Sequence, residues 1–171
     1  MAKFLLGLML CLSVFAAQAE TRDVQQHFFN PHLGDFKAEL DTAKQEGRQG
    51  ILLMFEMEEC PFCHRMKQTI LNQSEVQDYY RKNFLIFSVD TEGANTLVDF
   101  AGKETTEKKF ALDHRVRATP AFIFFDLSGK PLTRFTGAAK DMKEFMALGR
   151  YVAEGAHKSM PFARYKQQAV K

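Results

Sequence analysis

The stretch Ile51-Leu52-Leu53-Met54-Phe55-Glu56-Met57-Glu58-Glu59-Cys60-Pro61-Phe62-Cys63-His64 decides how the chain reads. Its first five residues are a continuous apolar run, the pattern of a strand buried on both faces. Pro61 suits the first turn of a helix, where its missing N–H would have had no partner. Two cysteines therefore sit at a strand-to-helix junction. Their motif has two incompatible readings. Cys-x-x-Cys beside a βαβ pattern is a redox pair, whereas Cys-x-x-Cys-His is a c-type haem attachment site.

Outward from this stretch, residues 35–46 carry Phe36, Leu40 and Ala43 at helical spacing, between Gly34-Asp35 and a Gly47 stop. Met66, Ile70 and Leu71 continue the apolar stripe after the cysteines. Residues 73–83 form a second helical piece with Val76, Tyr79 and Tyr80 on its apolar side. Residues 84–90 (Phe-Leu-Ile-Phe-Ser-Val-Asp) repeat the buried-strand pattern. Residues 91–103 read as loop and 105–113 as a short helix. Residues 121–125 read as a third strand, and 131–136 complete a hairpin around Leu127-Ser128-Gly129-Lys130. Residues 141–153 close the pattern with a helix. The alternation predicts one layered α/β domain over residues 35–154, with parallel strands, an antiparallel edge and flanking helices. Residues 20–34 read as a polar lead-in without assigned structure, and 155–171 as a loosely attached basic tail.

The first 19 residues read as a secretory signal peptide. Lys3 is a minimal positive start, residues 4–16 are an apolar core, and Ala17-Gln18-Ala19 is an A-x-A cleavage site. An uncleaved anchor is the alternative, but the apolar core is short for a membrane span. The expectation is an exported, periplasmic, soluble protein of one domain. Removing Lys3 lowers the formal charge from +2 to +1, a balance that argues against a nucleic-acid partner. Cleavage also removes Cys11, leaving Cys60 and Cys63 as the one pair. An exported pair is expected to be oxidised at rest. As a staple it is weak: the chain-entropy model gives so short a loop only about 2 kcal/mol.

Three segments resemble the thioredoxin-like superfamily. The first is the strand running into Cys60-Pro61-Phe62-Cys63. The second is Val116-Arg117-Ala118-Thr119-Pro120-Ala121-Phe122-Ile123-Phe124-Phe125, similar to the family's strand preceded by a cis-proline. The third is the Ser128-Gly129-Lys130 hairpin, with Gly137 and a final helix after it. The acidic lead into the cysteines and the Thr96-Leu97-Val98-Asp99-Phe100 insertion look most like the SoxW-type branch of periplasmic thioredoxin-like proteins. The resemblance implies a thioredoxin fold: a central mixed sheet with parallel strands and a C-terminal antiparallel hairpin, flanked by helices. It also implies a cis Thr119-Pro120 bond opposite the cysteines, with Pro120, Thr119, Pro61 and Phe62 shaping a substrate groove.

The chemistry of the pair follows from its place. A cysteine at a helix N-terminus meets unpaired N–H groups and the positive end of the helix dipole, which favour thiolate. Cys60 is the expected nucleophile, and Cys63, one turn further in, resolves the mixed disulfide. The sequence departs from the family in two respects. Met54 stands where thioredoxins carry a buried acid; Glu56, two residues on, shares its face and is the candidate substitute. The aromatic residue usual before the first cysteine is replaced by Glu58-Glu59, whose charges oppose a thiolate. His64, four residues after Cys60, can share its face and would stabilise a thiolate when protonated.

The rivals each meet an objection. Haem needs a large apolar pocket, and three strands have no place in a small helical cytochrome. Zinc needs a fourth ligand beside Cys60, Cys63 and His64, and none stands at suitable spacing. A non-catalytic binding module of the same fold remains the alternative, since fold alone does not give function. The expectation is therefore a thiol–disulfide oxidoreductase, monomeric, with no metal and no cofactor besides the Cys60–Cys63 disulfide. Its substrates are protein or small-molecule disulfides, a membrane protein supplies or takes the electrons, and reduction is favoured over oxidation.

Overall fold

A computed structural model describes residues 20–169; the expected signal peptide and Cys11 lie outside them. The central sheet has four strands, β1 (Gly50–Glu56), β2 (Phe84–Asp90), β5 (Ala121–Phe125) and β6 (Pro131–Thr136), in the order β2-β1-β5-β6. Strands β1 and β2 are parallel; β5 runs antiparallel to β1, and β6 antiparallel to β5. All of β5 is buried, as are the first six residues of β1, which is why both read as unbroken apolar runs.

Alternation divides these residues between two cores. Leu52, Met54, Phe122 and Phe124 face one cluster, together with both cysteines, Phe28, Tyr80 and Phe145. Ile51, Leu53, Phe55, Ile123 and Phe125 face the other, with Phe36, Phe87 and Phe110. Helices cover both sides: α1 (Val24–His27), α2 (Phe36–Gln45), α3 (Pro61–Met66), α4 (Ser74–Asn83), α5 (Glu107–Asp113) and α6 (Met142–Ala153). Asp35 caps α2 by accepting from the Ala38 N–H at 2.9 Å, and Asp141 caps α6 through the Glu144 N–H at 2.9 Å. A π-helical turn, Lys67–Leu71, joins α3 to α4.

Three segments differ from the sequence expectation. Residues 91–103 are not all loop: Thr96–Val98 (β3) pairs antiparallel with Glu104–Thr106 (β4). The helix expected from residue 105 starts at Glu107, because Thr106 is its cap, accepting from the Lys109 N–H at 3.3 Å. The tail is not loosely attached, since it forms a helix, α7 (Phe162–Ala169). The Phe162 ring packs against Tyr151 of α6 at 5.4 Å and Phe135 of β6 at 6.0 Å, and Lys166 pairs with Glu144 at 2.6 Å. The lead-in is also ordered. Phe28 and Phe29 are buried, and Asn30 bonds Ile86 of β2 twice: its N–H donates to the Ile86 carbonyl at 2.7 Å, and its Oδ1 accepts the Ile86 N–H at 2.9 Å.

Candidate active site

Three loops converge where β1 ends. The first is the turn at residues 57–60, which delivers Cys60 to the start of α3. The Cys60 N–H and the His64 Nε2–H both donate to the Glu58 carbonyl, at 3.0 and 2.9 Å. His64 is thus exposed, its Nε2–H held by the turn, and Glu58 and Glu59 are exposed beside it. The second loop brings Thr119-Pro120, and that bond is cis. The third, residues 137–140, is tied to both neighbours. The Gly137 N–H donates to the Pro120 carbonyl at 2.8 Å, and Arg65 of α3 donates to the Ala139 carbonyl at 3.2 Å.

Cys60 and Cys63 form a disulfide, with Cα atoms 5.2 Å apart. Cys60 is the N-cap of α3, and its Sγ accepts the Cys63 N–H at 3.1 Å. The same sulfur accepts the Thr119 hydroxyl at 3.3 Å. Cys63 is fully buried and Cys60 is 4% exposed, so access to the pair is through Cys60. Pro61 is exposed and Phe62 is 60% exposed, an apolar ring standing free beside the disulfide. Met54 lies in the same buried cluster as the two cysteines.

Glu56 follows Met54 on the same face of β1. Its carboxylate pairs with Lys67 Nζ at 2.6 Å and accepts the hydroxyl of Ser88, the residue opposite Met54 on β2. Lys67 stands one helical turn after Cys63. Glu56, Lys67 and Ser88 border a cleft of about 450 Å³ that also reaches His64 and Glu58. The Thr119 hydroxyl contact and the Lys67–Glu56–Ser88 arrangement are what sequence reasoning missed. Ser88 was the available signal, a lone hydroxyl in an otherwise apolar run.

A redox-active disulfide at a helix start, opposite a cis-proline, on a mixed four-stranded sheet, is the arrangement of a thiol–disulfide oxidoreductase. Residues 36–153 match the thioredoxin-like domain family, and the chain belongs to it. Among solved structures, it resembles a thioredoxin-fold protein from Helicobacter pylori, at 17% identity and a TM-score of 0.67 over 88% of this chain and 96% of that one. It also resembles a thioredoxin from Thermus thermophilus, at 25% identity and a TM-score of 0.54 over 69% and 83%. A third likeness is to a DsbH oxidoreductase, at 21% identity and a TM-score of 0.52 over 79% and 90%. No curated protein matches the chain.

Proposed function

We propose that this protein is an exported protein-disulfide reductase, of the SoxW-like periplasmic kind. The observation that carries the thiol–disulfide exchange is the unequal treatment of the two sulfurs, while the reductase direction rests on the thioredoxin-like character of the rest of the chain. Cys60 Sγ accepts two hydrogen bonds, from the Cys63 N–H and the Thr119 hydroxyl, and it alone is partly exposed. In the reduced protein those donors favour negative charge on Cys60.

The Cys60 thiolate attacks one sulfur of a substrate disulfide, forming a mixed disulfide and releasing the other sulfur as a thiolate. Cys63, having lost its proton, then attacks Cys60 Sγ. The Cys60–Cys63 bond forms and the second substrate thiolate leaves. Glu56, held by Lys67 and Ser88, is the carboxylate we assign to the Cys63 proton. The substrate lies over Phe62 and Pro61 and pairs with the backbone at Thr119. Two electrons then return from a membrane donor. His64 steadies the turn before Cys60, and Glu59 opposes charge on it.

Direction is tested by the reduction potential of the pair, measured against glutathione. A value near about −270 mV is expected for a reductase, and one near about −120 mV would make the protein an oxidase. Cys60→Ser should abolish reduction of a model disulfide; a biological effect surviving that change would mark a binding protein instead.

A further inference from the structure

The turn carrying Met57 and Glu58 separates two clefts of different charge. On one side, Glu56, Glu58, Asp90 and Glu107 line the cleft of about 450 Å³ with Lys67 and His64. On the other, a cleft of about 280 Å³ runs past Thr119, whose hydroxyl touches Cys60 Sγ. Its charged residues are Lys108, Arg117 and Glu92. Lys108 and Arg117 are exposed and enter none of the ion pairs among the described residues. Lys108 lies in α5 with its N–H on the Gly93 carbonyl, and Arg117 is two residues before Thr119. Met57 gives this cleft an apolar side.

A substrate chain lying beside Thr119 therefore passes two unpaired cations before it reaches the disulfide. A carboxylate there gains two partners and a lysine faces two like charges, opposed by Glu92 in the cleft and by Glu58 and Glu59 on the turn beside Cys60. We propose that the site selects disulfides in extended acidic peptide segments, with carboxylate side chains within a few residues of the half-cystine set on the Lys108–Arg117 wall. The proposal rests on the reductase reading. In each turnover the reduced dithiol of this protein becomes the disulfide, and the peptide disulfide becomes two thiols.

The test uses the pre-reduced chain and one cystine-linked peptide made with acidic, neutral or basic flanks. Reduction rates are measured at low salt and at 1 M salt. At low salt the acidic peptide should be reduced roughly three- to tenfold faster than the basic one, the range expected for a few exposed charge pairs. The gap should close at 1 M, where the screening length is about 3 Å. K108Q/R117Q should level the two rates and K108E/R117E should reverse their order. Equal rates in the wild type, a faster basic peptide, or an order indifferent to K108E/R117E would overturn the proposal. A neutral peptide left wholly unreduced would overturn the reductase reading, and this inference with it.

Discussion

Cys60 and Cys63 are two residues of one type, three apart, and the environment makes them different. Cys60 caps a helix and takes two donors; Cys63 is sealed inside a cluster that includes Met54. The cap was legible, because a cysteine before a proline-started helix can occupy little else. The Thr119 hydroxyl was not, because the family resemblance placed its backbone and said nothing of its rotamer. Glu56 was legible as a position on the strand face. Its partners Lys67 and Ser88 come from other elements and depend on register and helix phase. The two contacts are expected to fail in different steps. Thr119→Val removes a donor to the Cys60 sulfur; hydrogen bonds to charged groups contribute about 1.5–3 kcal/mol, so iodoacetamide labelling of the reduced protein near pH 7 should slow roughly tenfold. Glu56→Gln should leave labelling alone and lengthen the life of the mixed disulfide trapped in rapid quench. Equal resolution in the variant and the wild type would remove Glu56 from the mechanism.

Among the elements, the long apolar runs announced themselves and the short or polar ones did not. Strands β1, β2 and β5 are buried on both faces, so their composition alone marks them. The β3–β4 hairpin has three residues a side, and β4 is Glu-Thr-Thr, with no apolar alternation to read. Helix α7 is polar over most of its surface and holds on through Phe162, Tyr165 and Lys166, a stripe too sparse to stand out. The Tyr165 hydroxyl donates to Glu154 at 2.8 Å, and burial together with that bond pushes its pKa up to about 12. The hairpin glycine, by contrast, could be trusted from sequence. Gly129 has φ +77°, and a Cβ there would lie 2.5 Å from Cβ of Phe100. Gly129→Ala meets both a left-handed backbone and a packed ring, and should cost about 2–4 kcal/mol. In thermal melts that is a fall of roughly 4–16 °C; a change within about 1 °C would mean Phe100 moves aside freely.

At the scale of the molecule, the core facing α2 and α5 is bordered by two histidines. His32 stacks on Phe36 with centroids 5.4 Å apart, and His114 meets Phe110 edge-on at 4.5 Å. Burial lowers the pKa of both below the ordinary 6.5, and Arg134 lowers that of His114 further. The unfolded chain therefore binds protons at these positions before the folded chain does. Above about pH 6.5 both states are neutral and stability does not depend on them. As pH falls below that value the unfolded state gains, and the loss is complete once pH has passed the folded pKa values. The thermal midpoint should decline from pH 7 to pH 5, and His114→Gln should flatten that slope even if it lowers the midpoint at pH 7. An unchanged slope would place the titration elsewhere.

The lead-in segment has a bearing on solubility. Strand β2 lies at the border of the sheet, and a bare border strand offers its N–H and C=O groups to any passing chain. Asn30 occupies both groups of Ile86, near the middle of that strand, with its own backbone and side chain. One asparagine thus acts as a stopper against strand-by-strand stacking of copies.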